Sequence, residues 1–114
     1  MNIHYLEVVT PDVDAVCATY QQLYNCTFSE PVALLGGART APLPNGGQVG
    51  VRAPMHDAEE PETRTYVLVD NIERALNEAV QLGADVAHPP LELAGLGQFA
   101  IYRLGSLMHG LWQR

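Results

Sequence analysis

Thr65-Tyr66-Val67-Leu68-Val69-Asp70-Asn71-Ile72-Glu73-Arg74-Ala75-Leu76-Asn77-Glu78-Ala79-Val80-Gln81-Leu82-Gly83-Ala84-Asp85-Val86 is the stretch that decides the fold. Thr65 to Val69 is a short apolar run rich in β-branched residues and reads as a strand. From about Asn71 to Leu82 the period changes: Ile72, Ala75, Leu76, Ala79, Val80 and Leu82 recur at helical spacing and line one side. Asp70 and Glu73 have capping-box spacing, with Asp in place of Ser or Thr. Gly83 stands where a helix ends in the left-handed conformation. Three strands are expected beyond it, near 85–88, 98–103 and 109–113, with Pro89 and Pro90 as punctuation after the first.

The same order of elements stands in the first half. Ile3 to Val9 reads as a strand, and Pro11 to Tyr24 as a helix whose stripe is Val13, Val16, Cys17, Tyr20, Leu23 and Tyr24. Thr10 is its expected N-cap, Pro11 suits the first helical position, and Asp12 and Asp14 favour the positive helix end. Strands are expected near 27–30, 38–41 and 48–52, the last two joined by the turn signal Asn45-Gly46-Gly47. A shift of about 59 residues lays Asp12 on Asn71, Arg39 on Gln98 and Ala41 on Ala100, so the order βαβββ occurs twice. The chain is therefore expected to be α+β: two tandem βαβββ modules whose curved mixed sheets enclose a cleft. Module one spans about 1–53, an acidic linker about 54–62 and module two about 63–114, together one domain. A helix covers one face of each sheet, and alternate residues of the first and last strands face the cleft.

Length and composition agree. A chain of 114 residues allows one domain at the usual ~100–200 residues each. With 47% hydrophobic and 17% charged residues it is globular in composition. All six basic residues are arginines, thirteen residues are acidic, and the net charge is −7. Such a balance argues against nucleic acid and against an anionic membrane as partners. No apolar run approaches the ~20 residues of a membrane span. The start Met1-Asn2-Ile3-His4 has no secretory pattern, and Cys17 and Cys26 read as reduced thiols, so a cytoplasmic location is expected.

The second half carries a resemblance. Leu82-Gly83-Ala84-Asp85-Val86, Pro89-Pro90, Gly97-Gln98-Phe99-Ala100-Ile101 and Gly110-Leu111-Trp112-Gln113, with Leu6-Glu7-Val8-Val9-Thr10-Pro11-Asp12 in the first half, resemble the vicinal oxygen chelate superfamily. That superfamily includes glyoxalase I, bleomycin-resistance proteins, fosfomycin-resistance enzymes and extradiol dioxygenases. Its enzymes typically hold one divalent metal with His and Glu from the first and last strands of both modules. The resemblance places the first ligand seven residues before the acidic residue that opens each helix, which gives Tyr5 and Arg64 here. The late glutamate positions fall on Gly50 and Gly110. None of the four is a usual metal ligand, so no metal and no cofactor are expected. A slip of one residue would recover His4 and His109, with Glu7 or a second chain as the carboxylate, but it would turn those side chains to the other face.

If Tyr5 faces inward, so does Glu7; if Arg64 does, so does Tyr66; Arg52 and Trp112 share the parity of Gly50 and Gly110. The expected ligand-binding set is thus Tyr5, Glu7, Arg52, Arg64, Tyr66 and Trp112, in a cleft widened by the two glycines. Aromatic walls with a few polar anchors suit a small molecule, and two arginines suit a carboxylate or phosphate. Glu7 beside an arginine can equally be a structural ion pair, and Trp112 can equally be core. Ser29, Ser106 and Cys26 have no activating partner in the pattern, and His56 and the linker acids read as a solvated loop. The expectation is a glyoxalase-like, homodimeric protein that binds a small anionic or aromatic molecule without a metal. The alternatives are a metal-dependent lyase, isomerase or dioxygenase with an atypical ligand set, and a structural or interaction module.

Overall fold

The computed structural model describes all residues, Met1–Arg114. The elements in chain order are β1 (Ile3–Val9), α1 (Val13–Tyr24), a single 3-10 turn (Ala33–Leu35), β2 (Arg39–Pro42), β3 (Gln48–Arg52), β4 (Glu62–Leu68), α2 (Ile72–Gln81), β5 (Asp85–Leu93), β6 (Gly97–Leu104) and β7 (Leu107–Gln113). The chain packs as two units: Tyr5–Thr63, and Arg64–Arg114 together with Met1–His4.

In the first unit the strand order is β2-β3-β1. β1 and β3 run parallel, with Glu7 opposite Gly50 and Val9 opposite Arg52, and β2 and β3 are antiparallel. Helix α1 covers one face, packing Cys17 among Val8, Phe28, Ala41, Val49 and Val51. Burial raises the Cys17 thiol above its ordinary pKa, so it stays a protonated core residue, and both cysteines are free. In the second unit the order is β4-β7-β6-β5. β4 and β7 are parallel, with Tyr66 opposite Gly110, while β6 pairs antiparallel with both β7 and β5. Helix α2 packs Ile72 and Leu76 on Ala100 and Leu111. Each unit therefore sets its first strand parallel to its last, with the hairpin partner outside. This is the duplicated βαβββ pattern.

Module one carries its fourth strand only in outline. The expected strand near 27–30 does not form. Ser29 N–H donates to Thr40 O at 2.7 Å as a ladder bond would, but the return bond from Thr40 N goes to Ser29 Oγ at 3.0 Å. The Ser29 carbonyl accepts instead from Arg39 Nε at 3.0 Å. Pro31 has no N–H to continue, and pairing resumes as one isolated bridge between Val32 and Ala38. In module two the opposite correction applies. Pro89 and Pro90 do not stop β5, which runs on to Leu93 with two register shifts because its free side needs no donors.

The helix ends differ from expectation in detail. Asp12, not Thr10, is the N-cap of α1, Pro11 lies outside the helix, and the Thr10 hydroxyl accepts from Asp12 N–H at 3.1 Å. Leu23 and Tyr24 are exposed although they continue the stripe, as are Val80 and Leu82 at the end of α2. Asn71 caps α2, its side chain accepting from Arg74 N–H at 3.0 Å, and Gly83 follows with φ +109. Asn71→Ala is expected to lower stability by about 1 kcal/mol in urea denaturation.

Candidate functional site

β1 brings Tyr5 and Glu7 to one face, and β3 brings Gly50 and Arg52 to the same face beside them. A Cβ added to Gly50 would collide with Tyr5 Oη and lie 2.5 Å from its Cζ. The phenol therefore occupies the place of a side chain at position 50. The second unit repeats the arrangement: a Cβ on Gly110 would collide with Tyr66 Cδ2 and Cγ and lie 2.6 Å from its Cε2. The two glycines do not widen a cleft, the role their sequence positions suggest. Each is the floor under a tyrosine ring of its own unit.

Arg52 is the electrostatic centre of the first unit. Its Nε donates to Glu7 Oε2 at 2.9 Å, and its Nη1 and Nη2 donate to Glu59 Oε1 and Oε2 at 2.8 and 2.7 Å. Nη1 also reaches the Ala53 carbonyl at 3.1 Å. Glu59 Oε1 accepts in addition from Met55 N–H at 2.7 Å. Its hydrogen bonds to Arg52 hold the Glu59 carboxyl down at about 2, against burial and with help from Met55 N–H. The same bonds keep Arg52 protonated at any working pH. Because the folded pKa lies below the ordinary 4.5, the stabilisation is fully present above that value and is lost as pH falls through about 2. Glu59→Gln is expected to flatten the loss of stability between about pH 5 and pH 2.5, by about 2 kcal/mol, in acid-titrated denaturation.

Glu59 is the residue that sequence reading misses, because it lies in an acidic stretch that reads as a solvated loop. A carboxylate seven places beyond an arginine, in a segment without periodicity, carries no directional signal. In the second unit Arg64 Nη1 donates to Tyr66 Oη at 3.4 Å. The Tyr66 ring meets Trp112 edge-on at 5.9 Å and Phe99 at 6.2 Å. Trp112 Nε1 donates to the Leu96 carbonyl at 3.1 Å. The structure thus gathers Tyr5, Glu7 and Arg52 in one unit, and Arg64, Tyr66 and Trp112 in the other. All six are buried, with exposures between 4% and 9%.

A cavity of about 980 Å³ lies on the opposite, helix-facing side of the first unit, lined by Leu6, Tyr20, Tyr24, Phe28, Leu43 and Val49 among others. It opens where the last turn of α1 leaves the sheet uncovered. Sequence reading places Tyr24 on the apolar stripe of α1 and gives no sign of this opening.

The donor set does not fit a metal. No three His, Cys, Asp or Glu side chains come together closely enough to hold one. The His4 ring packs on Trp112 at 5.4 Å, and burial, then the charge of Arg114, lowers its pKa. His109 stacks on Tyr102 at 5.2 Å, and His88 on Phe99 at 4.9 Å. Each of these three histidines is engaged with an aromatic ring.

No protein-family model and no curated protein matches the chain. Solved structures do. A hypothetical protein from Bacillus halodurans superposes with a TM-score of 0.79 at 11% identity, covering 99% of this chain and 94% of its own. Methylmalonyl-CoA epimerase from Streptomyces coelicolor, in complex with 2-nitronate-propionyl-CoA, gives 0.70 at 12% identity over 99% and 96%. The Mycobacterium tuberculosis epimerase gives 0.73 at 12% over 98% and 87%. The fold is the glyoxalase-like one of βαβββ modules that these structures share. Identities this low carry the glyoxalase-like architecture and nothing of the chemistry. No helix is long and apolar enough to cross a membrane.

Proposed function

We propose that this glyoxalase-like chain binds a small anionic molecule bearing an apolar or aromatic body, without a metal. Tyr5, Glu7, Arg52, Arg64, Tyr66 and Trp112 are its contact set. The observation that supports this best is the Arg52 guanidinium, aligned by Glu7 and closed bidentately on a carboxylate. That is the geometry by which arginine recognises carboxylates and phosphates.

Charge narrows the ligand. The structural neighbour from Streptomyces was solved with an acyl-CoA, whose phosphates need a cationic surface. Here Arg39 and Arg103 pair with Asp14 and Asp85, Arg52 and Arg64 are buried, and the other two arginines, Arg74 and Arg114, stand exposed against a net charge of −7. A compact ligand with a single anionic group suits this chain better than a coenzyme A ester.

The test pairs metal analysis with a ligand screen. Protein purified without chelator should carry no stoichiometric divalent metal, and small carboxylates should raise its melting temperature. Stoichiometric metal, lost on His4→Ala, would establish the metal-dependent lyase, isomerase or dioxygenase reading in its place. A stable complex with another protein and no ligand response would mark an interaction module. The chain is further proposed to unfold as one domain and to form a cytoplasmic homodimer. Gel filtration at micromolar concentration checks the dimer.

A further inference from the structure

β3 ends at Arg52, and residues 53–61 then run without regular structure to β4. This strap folds back through a turn in which Glu59 N–H donates to His56 O at 3.0 Å. Almost nothing apolar holds it down: apart from Pro54 and Glu59 its side chains are exposed, and Met55 is 65% exposed. Its clasp is the Glu59 carboxylate, which bonds Arg52 twice and Met55 N–H once. The strap and Pro11 together enclose an open hollow of about 460 Å³, lined by Pro54, Met55, His56, Glu59 and Pro61 among others, beside the Arg52 clasp but not lined by Arg52 itself.

Two carboxylates share Arg52 unequally. Glu7 stands on β1, in the sheet, and takes the Nε side, which fixes the plane of the guanidinium. Glu59 arrives from the strap and takes the Nη1–Nη2 edge. Gly36, at φ +68, leaves room for this arrangement: a Cβ there would lie 3.1 Å from Arg52 Cδ and 2.5 Å from Met55 Cε. One partner is structural by position. The other is carried by a loop whose side chains are mostly exposed.

We propose that Arg52 is a carboxylate-recognition residue whose Nη1–Nη2 edge is filled by the chain's own Glu59, and that a small monocarboxylate enters by displacing Glu59 and releasing residues 53–61. This rests on the small-molecule reading above and names its ligand class. The exchange replaces one carboxylate by another, so the charge at the guanidinium is unchanged while Glu59 returns to water. A tethered competitor acts at an effective concentration of about millimolar, so its removal should tighten binding at least ~10-fold.

The experiment is an NMR titration of the isotope-labelled chain with sodium benzoate, with benzamide as the neutral control. In the wild-type protein, benzoate should shift the Met55 amide and reduce its protection from hydrogen exchange at saturation. Glu59→Gln and Glu59→Ala should bind benzoate at least ~10-fold more tightly, and benzamide should do neither. Arg52→Lys in the Glu59→Ala background keeps the charge, lacks the fork, and should lose most of that gain. A purely structural ion cluster predicts lower stability in the Glu59 variants and unchanged affinity. Equal affinity in wild type and both folded Glu59 variants, or a Met55 amide still protected at saturation, overturns the exchange while leaving the binding reading intact. Failure of benzoate to bind the folded Glu59 variants also overturns it. The broader reading falls only if no carboxylate, phosphate or neutral aromatic raises the melting temperature.

Discussion

Arg52→Ala should lower stability by about 3–5 kcal/mol and the melting temperature by about 15 °C. The loss of one side chain's own contacts is the smaller part. The larger part is what remains: Glu7 and Glu59, both mostly buried, would face each other without the cation between them. Two carboxylates in that state favour their protonated forms, so the pH dependence should invert locally. The variant should regain part of its stability between pH 7 and about pH 4.5, while the wild type gains nothing there. Urea denaturation at both values separates this from a simple packing defect, which would be pH-independent. Arg52→Lys should recover part of the loss, because it restores the charge without the two-pronged geometry.

Gly110→Ala should destabilise the chain by about 3 kcal/mol, and Gly50→Ala by about 1–2 kcal/mol, although both glycines have ordinary backbone angles. The difference comes from which end of the tyrosine is struck. At Gly50 the new methyl meets Tyr5 Oη first, the far end of a side chain and the part that a small tilt of the ring moves most. At Gly110 it meets Tyr66 Cγ and Cδ2, close to the backbone of the residue directly opposite in the parallel pair. That ring cannot withdraw without moving β4. A double variant, Tyr66→Ala with Gly110→Ala, should cost less than the sum of the two single changes, because the collision no longer exists. Additive losses would show that the ring does not occupy that space.

These two sites show what can be read in the residues and what cannot. The change of period between Val69 and Asn71, the glycine after Leu82 and the repetition of element order lead to the fold, because each local preference agrees with the packing it meets. β1 and β3 fall within their expected limits for the same reason. The misses arise where a side chain competes with the backbone. Ser29 takes over a ladder bond with its hydroxyl, and nothing in Thr27-Phe28-Ser29-Glu30 distinguishes that outcome from a strand. The prolines of β5 read as stops because composition does not show which side of a strand lacks a neighbour. At the site, strand alternation is enough to group Tyr5 with Glu7 and Arg64 with Tyr66. It cannot show that each tyrosine lies down over a glycine, or that a loop acid reaches Arg52. Both depend on loop geometry without periodicity or on neighbours far away along the chain.

The two outer margins of the sheets have a consequence for how this chain meets copies of itself. β5 carries Pro89 and Pro90, which have no N–H to offer a further strand, and its register against β6 shifts twice. The outer side of β2 is occupied by the Ser29 hydroxyl and the Arg39 side chain. Neither offers an uninterrupted row of donors and acceptors for another molecule's strand to add to. Each of these two strands therefore resists extension into a fibre by another molecule's strand.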